Sequence, residues 1–376
     1  MSHSEGGLAV SKYIMLGIDV HDATLVIKMA TGTEKPETLR VGNAPAERRR
    51  LWKRLRERAR ELGGAQVVMA YEASCQGYGL RDEACEKGFD CHVLAPTKIA
   101  RSSSHRRRKT DEQDALRILE VVRGHVLAGN RLPDVWVPDA QTREDREIVR
   151  ARLDVAEKRT AVKAQIQTLL KRHGARRPKS AGKGWNAAFE AWLRGLTKPP
   201  SRLPYGARVA LATLLRQKAA LEDEIARLDD EVASLAEHAR YAEPARALAS
   251  VKGVGLLTAM VVLTEMGDLS RFRNRKQIGA YLGLVPSSNE SGERGDRKGH
   301  ITHQGPWRVR RVLCQCTWSR VRTEPGEKAV YERIVAKNPK HKKIAVVAMM
   351  RRLGVLLWHL GRTAQERHGC FADAAA

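Results

Sequence analysis

Residues 13–31 read YIMLGIDVHDATLVIKMAT, two apolar runs separated by a short polar turn. The first run, 13–20, finishes with an acid, Asp19, and reads as a buried strand. The second run, 23–31, and TLRVGN at 38–43 read as two further strands with turn residues between them. A basic helix over 45–62 carries Leu51 and Leu55 on its apolar side. QVVMAYEA at 66–73 then repeats the opening pattern, an apolar strand finishing in Glu72. A helix near 77–87 and the strand DCHVLAP at 90–96 come next. A further helix starts after Thr110, a residue suited to an N-cap, and has acids in its first turn. Three strands, a helix, then alternating strand and helix predict an α/β domain of about 130 residues.

The acids carry the chemistry. Asp19 and Glu72 stand at the carboxyl ends of sheet strands, where α/β folds place their sites. Asp111 and Asp114 are three apart on a helix and share a face. Four carboxylates converging on one point repel unless a divalent cation neutralises them, and an all-oxygen ligand set suits Mg2+ or Mn2+. Such ions serve phosphodiester chemistry by activating a nucleophile and stabilising a leaving oxygen. Taken singly, each acid also reads as a helix cap or a solvated residue. The joint pattern points to a ribonuclease-H-like fold.

Charge gives the partner class. The 376 residues hold 68 Lys and Arg against 43 Asp and Glu, a net charge of +25. That is well beyond the roughly 2–8 a small domain needs for solubility, and it marks a polyanion binder. The basic residues cluster at Arg106–Lys109, Lys171–Lys183, Arg271–Lys276 and Lys337–Lys343. A hydrophobic fraction of 42% excludes a disordered polyampholyte. No run of 18 uncharged apolar residues is present, so no membrane span is expected, and MSHSEGGLAVSK does not resemble a signal peptide. Six cysteines without CxxC or zinc spacing read as reduced thiols of a cytoplasmic protein.

Beyond a connector at VWVPD (135–139), one helix is predicted from Gln141 to His173. KRHGARRPKSAGKG interrupts it, and Trp185 and Trp192 mark a short helix. Over 206–238, Leu214, Leu221, Leu228 and Leu235 recur every seven residues, with Ile225 and Val232 in the alternate positions. This reads as a coiled-coil arm, packing on the 141–173 helix or on another subunit, with Lys218 as a defect in the seam. The last third reads as a small helical domain. LASVKGVGLLTAMVVLTEMGD (248–268) is helix, Gly-x-Gly turn, helix, and 281–306 is a polar, glycine-rich loop. Helices are predicted at roughly 307–322 and 341–362. The turn at Lys252, Gly253 and Gly255 reads as a helix-hairpin-helix contact to a phosphate backbone, or as an ordinary glycine turn.

Strand-Asp19, strand-Glu72 and KTDEQDA (109–115) together resemble the RuvC-like DEDD domain of bacterial insertion-sequence transposases of the IS110 family. The likeness continues through YEASCQGYGL, GFDCHVLAP, VWVPD and LKRHG, closest to the IS1111 branch, and through VKGVGLLTA, GAYLGLVP, ESG, GHITHQG and RVRRVL. The resemblance implies three parts: a RuvC-like DEDD domain over 1–135, a helical linker and coiled-coil arm over 136–245, and a mostly helical transposase domain over 246–376. It implies a bacterial, nucleoid-associated recombinase binding double-stranded DNA, guided by a structured RNA and acting as a tetramer. It also implies that Asp19, Glu72, Asp111 and Asp114 hold Mg2+ or Mn2+ and that Ser291 is the nucleophile. From the residues alone, Ser291 is indistinguishable from an ordinary turn serine. Arg294, Arg297, Lys298 and Arg310, and Arg107, Arg108 and Lys109, are then candidate nucleic-acid contacts. His303 and Pro306 depart from the family pattern, which commonly has lysine and asparagine there. Two other readings stay open: a RuvC-like nuclease using metal-activated water, and a non-catalytic nucleic-acid-binding remnant.

Overall fold

The computed structural model describes residues 13–99, 110–291, 294–337 and 339–371, with the backbone alone between Ser288 and Lys298. The basic run holding Arg107, Arg108 and Lys109 lies outside the described residues. The chain forms two compact units, residues 1–137 and 138–376.

The first unit is built on a five-stranded sheet: β1 (Tyr13–Val20), β2 (Thr24–Thr31), β3 (Glu37–Gly42), β4 (Gln66–Glu72) and β5 (Asp90–Leu94). Its order is β3-β2-β1-β4-β5. The β1–β2 and β2–β3 pairs are antiparallel, and the β1–β4 and β4–β5 pairs are parallel. This is the mixed sheet expected of a ribonuclease-H-like domain. Helices α1 (Pro45–Glu61) and α2 (Gly79–Glu86) belong to one face, where Ile14, Leu16, Ile18, Leu51, Trp52 and Leu55 are buried together. Helix α3 (Asp111–Ala128) covers the other with Ile118, Leu119 and Val122, against Met15, Val68 and Ala70. Each such aliphatic side chain contributes roughly 1.5–3 kcal/mol on burial.

The period of two along β1 assigns each of its residues to a face. Met15 packs on the α3 side and Ile14, Leu16 and Ile18 on the other, so Gly17 and Asp19 also belong to the α3 side. At Gly17 the helix touches the strand backbone. A Cβ there would lie 2.2 Å from the Ala115 carbonyl oxygen and 2.2 Å from the Leu119 nitrogen. Only glycine permits that approach.

The second unit is helical. Helices α4 (Ala140–Arg172) and α6 (Tyr205–Ala236) form an antiparallel hairpin. Near its base Val149 and Leu153 share a core with Val232 and Leu235; further out Ile166 and Leu169 share one with Ala207 and Leu211. Short helix α5 (Ala187–Leu196) packs Phe189 and Leu193 into the outer cluster. The buried column of α6 is Leu211, Lys218, Ile225 and Val232, whereas Leu214, Leu221 and Leu228 are only half-buried. Of the seam read from the sequence, Ile225, Val232 and Leu235 are buried, whereas Leu214, Leu221 and Leu228 form its half-buried edge. Lys218 is no defect: its side chain is 4% exposed, and its ammonium meets Glu190 at 2.7 Å and Glu222 at 2.5 Å. The seam therefore carries a buried charge with two partners, which heptad counting cannot anticipate.

Helices α7 (Ala242–Ala249), α8 (Leu256–Met266), α9 (Arg275–Tyr281), α10 (Trp307–Thr323), α11 (Pro325–Lys337) and α12 (Lys342–His368) complete the unit. The sequence reading has no counterpart for α11. The base of the α4–α6 hairpin and the helices after Tyr241 share one hydrophobic core. Helix α12 with its preceding turn is long and apolar enough to cross a membrane, and half of that apolar window is buried inside the protein. Leu353, Leu357 and Trp358 supply its core face.

Residues 286–301, expected as loop, are instead a β-hairpin: β6 (Pro286–Ser291) pairs with β7 (Arg294–Ile301) in antiparallel register. Backbone pairing satisfies this polar segment, which has no alternating apolar face to announce it. Its root is tight. Gly283 and Gly305 have φ of +63° and +75°, and a Cβ would strike the Gln304 oxygen at 2.2 Å or the Tyr281 oxygen at 1.9 Å respectively. The GAYLGLVP and GHITHQG motifs thus meet through their glycines.

Candidate functional site

Asp19 and Glu72 come from neighbouring parallel strands, whose register pairs Ile18 with Tyr71 and so sets the two acids side by side at the strand ends. Val68 and Ala70 pack on the α3 side, which places Glu72 on the same side as Asp19. Helix α3 starts at Asp111, capped by the Thr110 hydroxyl, which accepts from the Gln113 N–H at 3.3 Å. Because Gly17 admits α3 so closely, the first helical turn lies over the end of β1.

Three ligand atoms from Asp19, His21 and Asp111 lie within 4.8 Å of one another. His21 Nε2 is 3.1 Å from Asp19 Oδ2 and 3.5 Å from Asp111 Oδ2. Glu72 and Asp114 are not part of this close group. Asp114, 14% exposed, accepts from Arg117 Nη1 at 2.6 Å. Glu112 turns elsewhere, to Lys28 at 3.2 Å and Arg40 at 3.0 Å. Burial pushes the Asp19 carboxyl above its ordinary range; His21 pulls it down, and Asp111 and Asp114 push it up again. Like charges raising one another's proton affinity at a half-buried strand end are the arrangement that a cation relieves. The donor set therefore fits a divalent ion.

His21 escaped the sequence reading. The signal was present: His21 comes two residues after Asp19, and an Asp-x-His spacing at a strand end puts both on one side. Arg117, which holds Asp114, sits one turn further along the same helix.

In the second unit, Ser291 ends β6 and pairs with Arg294, so it lies beside the hairpin tip rather than in a free loop. The register sets Arg297 opposite Asn289 and Lys298 opposite Ser288. Ser287 is committed: its hydroxyl donates to the His300 carbonyl at 3.0 Å. Arg310, expected at a phosphate, has its Nη1 on the carbonyls of Leu282 (3.2 Å), Gln304 (2.8 Å) and Gly305 (3.1 Å). It clamps the hairpin root. His303, at φ 53°, belongs to the same root.

At the Gly-x-Gly turn, Gly253 has φ of +84° and Gly255 caps α8. The Lys252 ammonium pairs with Glu324 at 2.7 Å while remaining 71% exposed, and its carbonyl accepts from Arg320 at 2.6 Å. The turn is thus pinned to the end of α10, with its lysine at the surface.

Residues 16–174 match the DEDD transposase family model of IS110-type elements, and residues 245–332 match the model described as transposase IS116/IS110/IS902 family. The Sinorhizobium fredii protein y4qE, described as a putative transposase, is 27% identical, covering 96% of this chain and 92% of its own length. The transposase for insertion sequence element IS1533 of Leptospira borgpetersenii is 23% identical over 86% of this chain and 90% of its own. The transposase for IS1111A of Coxiella burnetii is 24% identical over 70% and 69% respectively.

Proposed function

The chain belongs, in both of its matched regions, to the IS110 family of DEDD transposases, and from that premise we propose that it cuts and rejoins DNA strands with Ser291 as nucleophile. The observation that carries the reading is the meeting of Asp19 and Asp111, with His21, over the end of β1, and Asp114 beside them on the same helix. Asp19, Glu72, Asp111 and Asp114 are the residues that would hold Mg2+ or Mn2+. A divalent ion held there would supply charge to neutralise a phosphate and a Lewis acid for a phosphodiester oxygen.

The chain's own groups do the rest. Ser291 gives up its hydroxyl proton to solvent and its oxygen forms an ester to the phosphate, displacing the adjoining deoxyribose oxygen, which leaves as a hydroxyl by taking up a proton, so the bond energy is kept for rejoining. Arg294 faces Ser291 in the register and supplies positive charge near the phosphate. Lys252, Gly253 and Gly255 grip the backbone of the DNA at the turn before α8. Support for a structured guide RNA comes from the net charge of +25 and the basic 171–183 segment, and support for a tetramer from the motif order shared with the family.

The test is strand exchange on DNA carrying the element's ends. Asp114→Asn is expected to abolish it while leaving DNA affinity intact, and excess chelator is expected to do the same to the unaltered protein. Full recombination in either case would refute the cation role. DNA affinity is expected to fall with salt, with a log–log slope of about −0.9 for each phosphate neutralised.

A further inference from the structure

We propose that His21 is itself a ligand of the cation held by Asp19 and Asp111, and that its nitrogen tilts the site from Mg2+ toward first-row transition-metal ions. This rests on the reading of the carboxylates as a divalent-cation site and goes beyond it, since the four acids are an all-oxygen set and contain no histidine.

The geometry is that of one coordination shell. Ions of this class hold donors at roughly 2.1 Å, so neighbouring donors in an octahedral shell stand about 3 Å apart. The imidazole Nε2 is 3.1 Å from Asp19 Oδ2 and 3.5 Å from Asp111 Oδ2. All three ligand atoms fall within 4.8 Å of one another, close to the span of donors around a single ion. The histidine is also placed by its backbone. Its N–H donates to the Thr24 carbonyl at 2.9 Å, and its carbonyl accepts from Asn43 at 2.7 Å. Two hydrogen bonds at the β1–β2 turn thus fix where the ring starts, and its side chain remains 44% exposed, open to an arriving ion.

Donor type sets the chemistry. Mg2+ keeps oxygen ligands and water, whereas imidazole strengthens binding of transition-metal ions in the Irving–Williams order. A site with one nitrogen among its carboxylates gains affinity for Mn2+ and its heavier neighbours without a matching gain for Mg2+. The competing explanation is that His21 is only a hydrogen-bond partner of the two carboxylates. Removing it would then free both for the ion and leave the preference between metals unchanged.

The experiment uses the full chain with Mn2+ as probe. Free Mn2+ is counted by electron paramagnetic resonance, with Mg2+ as competitor, and the bound ion is examined by electron-spin-echo modulation from 14N. The unaltered protein is expected to show an Mn2+ site that Asp19→Asn removes, with imidazole 14N modulation. His21→Ala is expected to lose the modulation and roughly tenfold or more in Mn2+ affinity, the cost of losing even an outer partner, with a smaller loss for Mg2+, so that the preference between the two falls. His21→Asp, which restores an oxygen donor, is expected to bind Mg2+ well and show no modulation. An Asp19-dependent Mn2+ site without 14N modulation would overturn the proposal, as would an unchanged preference in His21→Ala. Absence of any Asp19-dependent site in the unaltered protein would overturn the cation reading as well.

Discussion

Asp19 is held between a helix and a sheet, whereas Ser291 ends a strand with a single neighbour. The carboxylates are placed by packing: Gly17 lets α3 down onto β1, and the strand period then aims Asp19 at the first turn of that helix. The serine is placed by a two-stranded hairpin whose rigidity is concentrated at its root, where Gly283, Gly305 and Arg310 lock the two motif loops together. A core positions the first site and a clamp positions the second. Changes in the core of the first unit should therefore disturb metal binding, and changes at the clamp should disturb nucleophilic attack.

The largest effect is expected at Glu265, 7% exposed, which takes two hydrogen bonds from Arg150 at 2.8 and 2.9 Å. Its carbonyl accepts from the Tyr281 hydroxyl at 3.2 Å, close to the hairpin root. Glu265→Ala removes two charge-assisted hydrogen bonds from Arg150, which stays one-third exposed and near Glu147, and should cost roughly 2–4 kcal/mol. Denaturant unfolding of the full chain measures it. A loss below about 1 kcal/mol would mean that the frame behind the hairpin is as soft as a surface ion pair.

Gly17→Ala comes next. Its new methyl would overlap the backbone of α3, so the helix must retreat, at roughly 1–3 kcal/mol. Divalent-cation affinity should fall with it, because Asp111 moves away from Asp19, while the Ser291 hairpin is untouched. Unimpaired cation binding in a folded Gly17→Ala protein would show that close packing is not what assembles the acids.

A smaller effect, of opposite sign, is expected at Asp19. Its carboxyl is pushed up by burial and by Asp111 and Asp114, so the ionised form is disfavoured in the folded state. The corresponding strain is present above the carboxylate range and vanishes as pH falls and the group protonates. Asp19→Asn should therefore raise the Tm of the metal-free protein at neutral pH. It should also abolish the Tm increase that Mn2+ gives. A lower Tm in the metal-free variant would mean that the His21 contact outweighs the repulsion.

Legibility in the sequence divides along the same line. The strands ending at Asp19 and Glu72 announce themselves because buried strands are apolar runs, and Thr110 announces α3 because its hydroxyl can accept a helix N–H. The convergence of Asp19 with Asp111 depends on Gly17, whose role emerges only when α3 is seated on it. His21 is easily overlooked, since it lies just beyond the strand, in the turn between β1 and β2. The hairpin at 286–301 is illegible because both its faces are polar and its order comes from backbone pairing. Lys218 breaks the heptad rule, and Glu190 on a separate helix, together with Glu222 on its own, explains why it is tolerated.

The most direct test is to trap the protein on a nicked substrate and map the covalent bond by digestion and mass spectrometry. A phosphodiester on Ser291 is expected, absent in Ser291→Ala and retained in Ser287→Ala, whose hydroxyl already serves the His300 carbonyl. Cleavage without any adduct, leaving ends made by hydrolysis, or an adduct persisting in Ser291→Ala, would contradict the assignment of Ser291 as the nucleophile.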